Sequence, residues 1–237
     1  QAITLTYASR NITLESDNDL GAMPVLEDLV NVLNTMDGGS EIAAKLYKYT
    51  KGTYGGFLNN PTNINMKNTF IVFNINDLEE ELRPIAMYIL LNHVWNNIKK
   101  SLKKRILIID ESWYLMKFQE TADFVLSFAK RARKYFLGLT TIAQDLDDFL
   151  KTPQGIPVIT NSTIKILFKQ SSATINQIAD TLNLTEVEKS LLTQVDVGSG
   201  LFMAGNKHTI IQVVASYTED QLITSDPKKL MALKNKN

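Results

Sequence analysis

Arg105-Ile-Leu-Ile-Ile-Asp-Glu-Ser-Trp113 is the stretch on which the fold turns. Four apolar residues, Ile106 to Ile109, run directly into two adjacent carboxylates, Asp110 and Glu111. A short apolar run of this length reads as a buried β-strand. In an open α/β sheet, ligands collect beyond the carboxyl ends of the strands. The two acids therefore stand where a strand delivers side chains to a ligand. Asp110 suits a magnesium site, because magnesium takes hard oxygen ligands and keeps several of its waters. Glu111 suits the general base that takes a proton from an attacking water. The plainer alternative is that Asp-Glu only makes a strand-end turn or caps a helix.

The segments on either side supply the rest of the sheet. Thr69 to Ile75 is almost continuously apolar, as fully covered parallel strands are, and predicts a strand. A helix is expected from the acidic run Asp77–Glu81 to about Lys100, with Leu82, Ile85, Ala86, Ile89, Leu90, Val94 and Ile98 inward. A second helix is expected over 119–135, then strands over 137–142 and 163–168, with a short acidic helix over 145–150 between them. Two helices over 173–182 and 185–192 precede a hairpin whose turn is Gly205-Asn206. Strands alternating with helices argue for an α/β domain with a mostly parallel sheet.

Ahead of the sheet, residues 1–20 are polar and weakly patterned. Residues 22–52 read as a small helical insertion. One helix begins near Pro24 and stops at Gly38-Gly39; another runs from Ser40 to Gly52 and carries Ile42, Ala43, Leu46 and Tyr49.

Composition excludes several classes. Formal net charge is zero over 237 residues, so contact with nucleic acid or anionic lipid must come from local clusters. Cysteine is absent, which excludes disulfides, thiolate zinc sites and thiol catalysis. No apolar run approaches the roughly 20 residues of a membrane-spanning helix. His93 and His208 lack partners at metal-ligand spacing, Trp113 and Tyr114 read as packing residues, and the seven methionines as core filler.

Two further features add chemistry. Gln144 ends the strand that follows the Asp-Glu strand, and its amide can donate to a phosphate or orient a water. Lys130-Arg131-Ala-Arg133-Lys134 closes the helix between them. Cations there complement the helix dipole. They also suit phosphate contact, Arg131 and Lys134 among them, with an arginine of this run as a finger reaching a neighbouring subunit's nucleotide, or contact with a DNA backbone. The basic loop Lys99–Arg105 lies at the opposite end of its strand from the carboxylates and reads as a solvated loop. The phosphate-cradling motif G-x-x-x-x-G-K-[ST] occurs nowhere in the chain.

Taken together, Ile108-Ile-Asp-Glu-Ser-Trp113, Ala129-Lys-Arg-Ala-Arg-Lys134 and Leu139-Thr-Thr-Ile-Ala-Gln144 resemble the TraE/CagE-type conjugative-transfer ATPases of the VirB and TraC lineage. Gly55-Gly-Phe-Leu-Asn-Asn-Pro-Thr62 and Gly200-Leu-Phe-Met-Ala-Gly205 fit the same pattern. The resemblance implies a RecA-like P-loop NTPase domain that binds ATP and magnesium and works as a hexamer or larger ring. It further implies association with the inner face of the cytoplasmic membrane, at a type IV secretion channel and its coupling proteins. Asp110 and Glu111 fall on the Walker B positions, Gln144 on the sensor glutamine and Arg133 on the arginine proposed to act across the subunit interface. The 22–52 helices match an embellishment of the family. The expectation is a C-terminal part of such a domain over 1–237, its sheet incomplete at the N-terminus, with the phosphate loop encoded before Gln1. Such a piece is expected to be inactive on its own. The alternatives are a DNA-translocating ring of the coupling-protein or HerA/FtsK type and a non-catalytic assembly subunit.

Overall fold

The computed structural model describes residues 1–13, 23–64, 66, 68–224, 226–228 and 231. Contacts divide the chain into two compact units, Gln1–Phe73 and Asn74–Asn237.

The first unit is helical. It contains α1 (Ala2–Ser9), α2 (Leu26–Asn34), α3 (Gly39–Thr50) and α4 (Gly55–Leu58). Residues 1–13 form a helix and its exit; residues 14–20 of the weakly patterned segment, and residue 22 of the expected insertion, lie outside the described residues. Pro24 stands just before the helix rather than in its first turn, and Val25 is the N-cap. Asp28 accepts from the Val25 backbone N–H at 2.9 Å and from Arg10 at 2.9 and 3.0 Å, tying α1 to α2. Gly38 takes a left-handed φ of 72°, and Gly39 opens α3 so close to Leu33 that a Cβ would stand 2.0 Å from its carbonyl oxygen. Only glycine fits that break between the helices. Ile42, expected inward, is exposed, and Ala43 takes the buried position. After α3 comes the single turn α4, and Asn59 behind it bonds back to Glu27 and to the Thr50 carbonyl.

The second unit is α/β. Its elements are α5 (Arg83–Lys100), β1 (Arg105–Ile109), α6 (Trp113–Met116), α7 (Gln119–Arg131), a 3-10 turn (Ala132–Tyr135), β2 (Leu137–Thr141), α8 (Asp147–Leu150), α9 (Gly155–Asn161), β3 (Ile164–Leu167), α10 (Ile175–Leu182), α11 (Glu186–Gln194), β4 (Ser199–Ala204), β5 (Lys207–Gln212) and α12 (Tyr217–Ile223). β1 and β2 pair in parallel, Ile109 opposite Thr141. β3, β4 and β5 form a separate antiparallel sheet, closed by the expected Gly205-Asn206 turn. The mostly parallel sheet expected, with only the closing hairpin antiparallel, is thus one parallel pair beside an antiparallel triplet, because β3 joins the hairpin by pairing antiparallel with β4. Both sheets share one core, which includes Ile109, Leu137, Leu167, Leu201 and Met203.

Three local expectations change. Residues 69–75 form no strand where they are described, and Phe70 and Val72 are exposed at 83% and 70%. An apolar run becomes a strand only where an adjacent edge takes its N–H and C=O groups, and among the described residues no strand pairs with it. α5 begins at Arg83 rather than Asp77. Pro84 lacks an N–H and fits the first turn, so the acidic residues before it form turns instead. The buried face of α5 is Ala86, Met87, Leu91, Trp95 and Ile98, with Ile89 outside. Trp95 sets that rotation. Its ring meets Phe128 of α7 and Tyr135 edge-on, each at 4.9 Å, a geometry that adds to area burial. α9 was not expected from the sequence. It is held to α7 by Gln154, whose amide donates to Asp123 at 2.9 Å.

Glu188 joins α11 to β5. Its carboxylate accepts from the Thr185 N–H at 2.7 Å and the Thr185 hydroxyl at 2.9 Å, and it pairs with His208 Nδ1 at 2.6 Å. Burial works to raise its pKa, but the Thr185 N–H, His208 and the Thr185 hydroxyl together outweigh it and hold the group below its ordinary 4.5. A depressed carboxylate stabilises the fold above the unfolded-state value and loses that contribution as pH falls through the folded value. Glu188→Gln is therefore expected to cost on the order of 1 kcal/mol at pH 7, the usual worth of a cap. Urea unfolding across the acid range should show that gap narrowing below pH 4.5. A gap independent of pH would exclude the carboxylate as its source.

Candidate functional site

The parallel register decides which side chains meet. Beyond Ile109 and Thr141 the two strands stay tied: the Ile142 N–H donates to the Ile109 carbonyl at 2.9 Å. The Ser112 N–H and hydroxyl both donate to the Ile142 carbonyl, at 2.9 and 2.7 Å. Ser112 is completely buried. Sequence reading passed over it, and a serine after two acids carries no signal by itself. It works as a rivet, fixing the turn after β1 to the end of β2.

That turn places Asp110, Glu111 and Gln144 together at the carboxyl ends of the parallel pair, as expected. Asp110 is exposed, and its Oδ1 accepts from the Glu111 N–H at 2.9 Å. Glu111 Oε1 accepts from Gln144 Nε2, and Glu111 Oε2 accepts from Trp113 Nε1, both at 2.5 Å. Trp113 was read as a packing residue. Its ring does meet Tyr114, and Lys117 Nζ stands 4.4 Å from its centroid, but its N–H belongs to the site.

Glu111 adopts a left-handed φ of 48°. For a residue with a Cβ this costs on the order of 1–2 kcal/mol. Such strain persists where the surroundings over-determine it, typically at functional positions. Here the N–H bond to Asp110, the Ser112 rivet and the Tyr114 N–H donated to the Glu111 carbonyl at 3.0 Å hold it.

The basic residues lie elsewhere. Arg131 ends α7, Arg133 and Lys134 lie in the 3-10 turn, and all three are exposed. The Arg105 N–H donates to the Phe136 carbonyl at 3.1 Å, which pins this turn to the entry end of β1. The carboxylates are at the exit end, about 13 Å along the strand at ~3.3 Å per residue. Arg131, Arg133 and Lys134 thus stand at the opposite pole of the parallel pair from Glu111 of the same chain.

Asp110 and Gln144 are exposed and Glu111 is half-buried. Two surface clefts have other linings, one of about 590 Å³ along α11 at Glu186, Val187 and Ser190, and one of about 220 Å³ in the helical unit at Thr6, Tyr7 and Val25. Among the described residues no three His, Cys, Asp or Glu gather as a metal site. A magnesium ion carried by a nucleotide needs only one or two protein carboxylates plus phosphates and water, and Asp110 fits that part. Asp110, Glu111 and Gln144 fit the reacting end of a triphosphate. No Gly-Lys-Ser or Gly-Lys-Thr is present to fit its cradle. No described helix is long and apolar enough to cross a membrane.

Comparison with known proteins bears on the family and the fold. The family described as TraG P-loop domain matches residues 40–213. Among solved structures, that of VirB4 of Thermoanaerobacter pseudethanolicus superposes with a TM-score of 0.80 at 25% identity, over 92% of this chain and 63% of that one. The chain thus spans less than two thirds of its structural relative. No curated protein sequence matches it. The expected P-loop NTPase fold and the likeness to type IV secretion ATPases are both borne out.

The strain at Glu111 has a signature. Glu111→Gly should be more stable than Glu111→Ala by about 1 kcal/mol, reversing the usual order, because only glycine occupies the left-handed region freely. Chemical unfolding of the two variants measures the difference, and an alanine variant at least as stable as the glycine one would refute the strain.

Proposed function

We propose that the chain, which belongs to the TraG P-loop domain family, is the C-terminal part of a RecA-like ATPase domain of a type IV secretion or conjugative-transfer motor, with the 22–52 helices as an insertion in that domain. The observation that carries this reading is Glu111, seated at a strand mouth beside Asp110 and in hydrogen-bond contact with Gln144. The phosphate loop, in this reading, comes from polypeptide outside these 237 residues.

Magnesium bound with ATP supplies neutralisation of the phosphate charge. Asp110 is the residue that would hold that ion. Glu111 orients the attacking water and takes its proton on a carboxylate oxygen. Gln144 offers one amide donor to Glu111 or to the terminal phosphate, so it reports whether that phosphate is present.

Arg133 acts on the nucleotide of a neighbouring copy, with Arg131 and Lys134 as further phosphate contacts. Their placement at the far pole of β1 supports action across an interface, since within one chain they are remote from Glu111. The motor is accordingly a homo-oligomeric ring, a hexamer by family likeness, working at the inner face of the cytoplasmic membrane with channel and coupling proteins. The same exposed cations favour a second reading, a ring that moves DNA. Stimulation of hydrolysis by DNA distinguishes it.

In the polypeptide that carries the phosphate loop, Glu111→Gln should retain ATP binding and lower turnover by roughly 10²–10⁴-fold, the worth of a positioned base. Turnover within a few-fold of wild type would remove Glu111 from that role. Arg133→Ala should lose turnover only in the assembled ring, by about 10³-fold or more for an arginine finger. An equal loss in the monomer would make Arg133 a local structural residue.

A further inference from the structure

Residues two apart do not face one another along a helix. Glu111 and Trp113 nevertheless touch, because the left-handed backbone at 111 turns the carboxylate back over the start of α6. The strained residue and the indole contact are one arrangement: relaxing φ to a right-handed value would carry the side chain away from Nε1.

The two donors on Glu111 differ in freedom. Gln144 is exposed and lies just past β2. Trp113 is half-buried, packs against the core, meets Tyr114 edge-on at 5.8 Å and carries Lys117 over its face. Packing alone calls for an aromatic ring, which phenylalanine provides. The indole adds one directional N–H donor and no acceptor, and here that donor points at a carboxylate oxygen. A hydrogen bond to a charged acceptor is shorter and stronger than a neutral one.

We propose that Trp113 is a positioning residue for Glu111. Its Nε1–H anchors Oε2, so that Oε1 alone exchanges between the Gln144 amide and the attacking water. The anchor acts through Glu111 and touches neither nucleotide nor metal. The proposal rests on the assignment of Glu111 as the base, and the test separates the two.

In the full-length protein, Trp113→Phe keeps the ring and removes the N–H. Its kcat should fall about 10–100-fold, as when a partner that orients a functional ligand is lost. KM for ATP and affinity for a non-hydrolysable ATP analogue should stay within about twofold, the pattern of an interaction needed for the chemical step alone. Wild-type kcat in this variant overturns the proposal, as does a kcat loss matched by loss of analogue binding. Wild-type kcat in Trp113→Phe beside a dead Glu111→Gln sinks the anchor and leaves the base standing, whereas an active Glu111→Gln sinks both. A second measurement needs no turnover. The chain has two tryptophans, Trp95 and Trp113, so 5-fluorotryptophan labelling reads each by its own fluorine resonance. Glu111→Gln should shift the Trp113 line and leave the Trp95 line in place. A Trp113 line that does not move shows that no anchor exists.

Discussion

The parallel pairing of β1 with β2 is the constraint on which the site depends. Parallel strands end on the same side, so whatever follows Ile109 and Thr141 must meet. The backbone then does the fine placement. Ser112 spends both its N–H and its hydroxyl on the Ile142 carbonyl, and the carboxylates have nowhere to go but the mouth between the strands. The arrangement asks little of long-range electrostatics. It follows from hydrogen-bond geometry and from a buried serine whose N–H and hydroxyl share one acceptor.

Much of this was legible in the sequence, for reasons that can be named. Asp110, Glu111 and Gln144 were readable because a strand end is a fixed address, and an apolar run marks it. Trp113 and Ser112 were not, since an indole and a hydroxyl acquire meaning only when a left-handed residue and a neighbouring strand bring acceptors to them. The strand expected over 69–75 failed for a related reason. Apolar residues state a preference for burial, but a strand also needs an edge to pair with. On α5 the pattern named the right kind of element and misjudged its rotation, because Ile89 and Trp95 compete for the core and the larger ring wins through Phe128 and Tyr135. β3 was found as a strand, yet its partner was not, since an apolar run does not say whether its neighbour runs parallel or antiparallel.

The separation of acids and cations along β1 has its own logic. At the far pole, Arg133 stays clear of its own chain's carboxylates and remains open to a surface presented from outside. The fold thereby keeps the Glu111 carboxylate and the Arg133 guanidinium apart on one polypeptide.

Ile106 and Ile108 point away from the core and are exposed at 75% and 60%, on a strand that bonds only to β2 among the described residues. A bare β-edge with greasy side chains beside it is the kind of surface on which unrelated chains stick together. During synthesis, and in any preparation of these residues alone, solubility thus hinges on how soon something shields that strand.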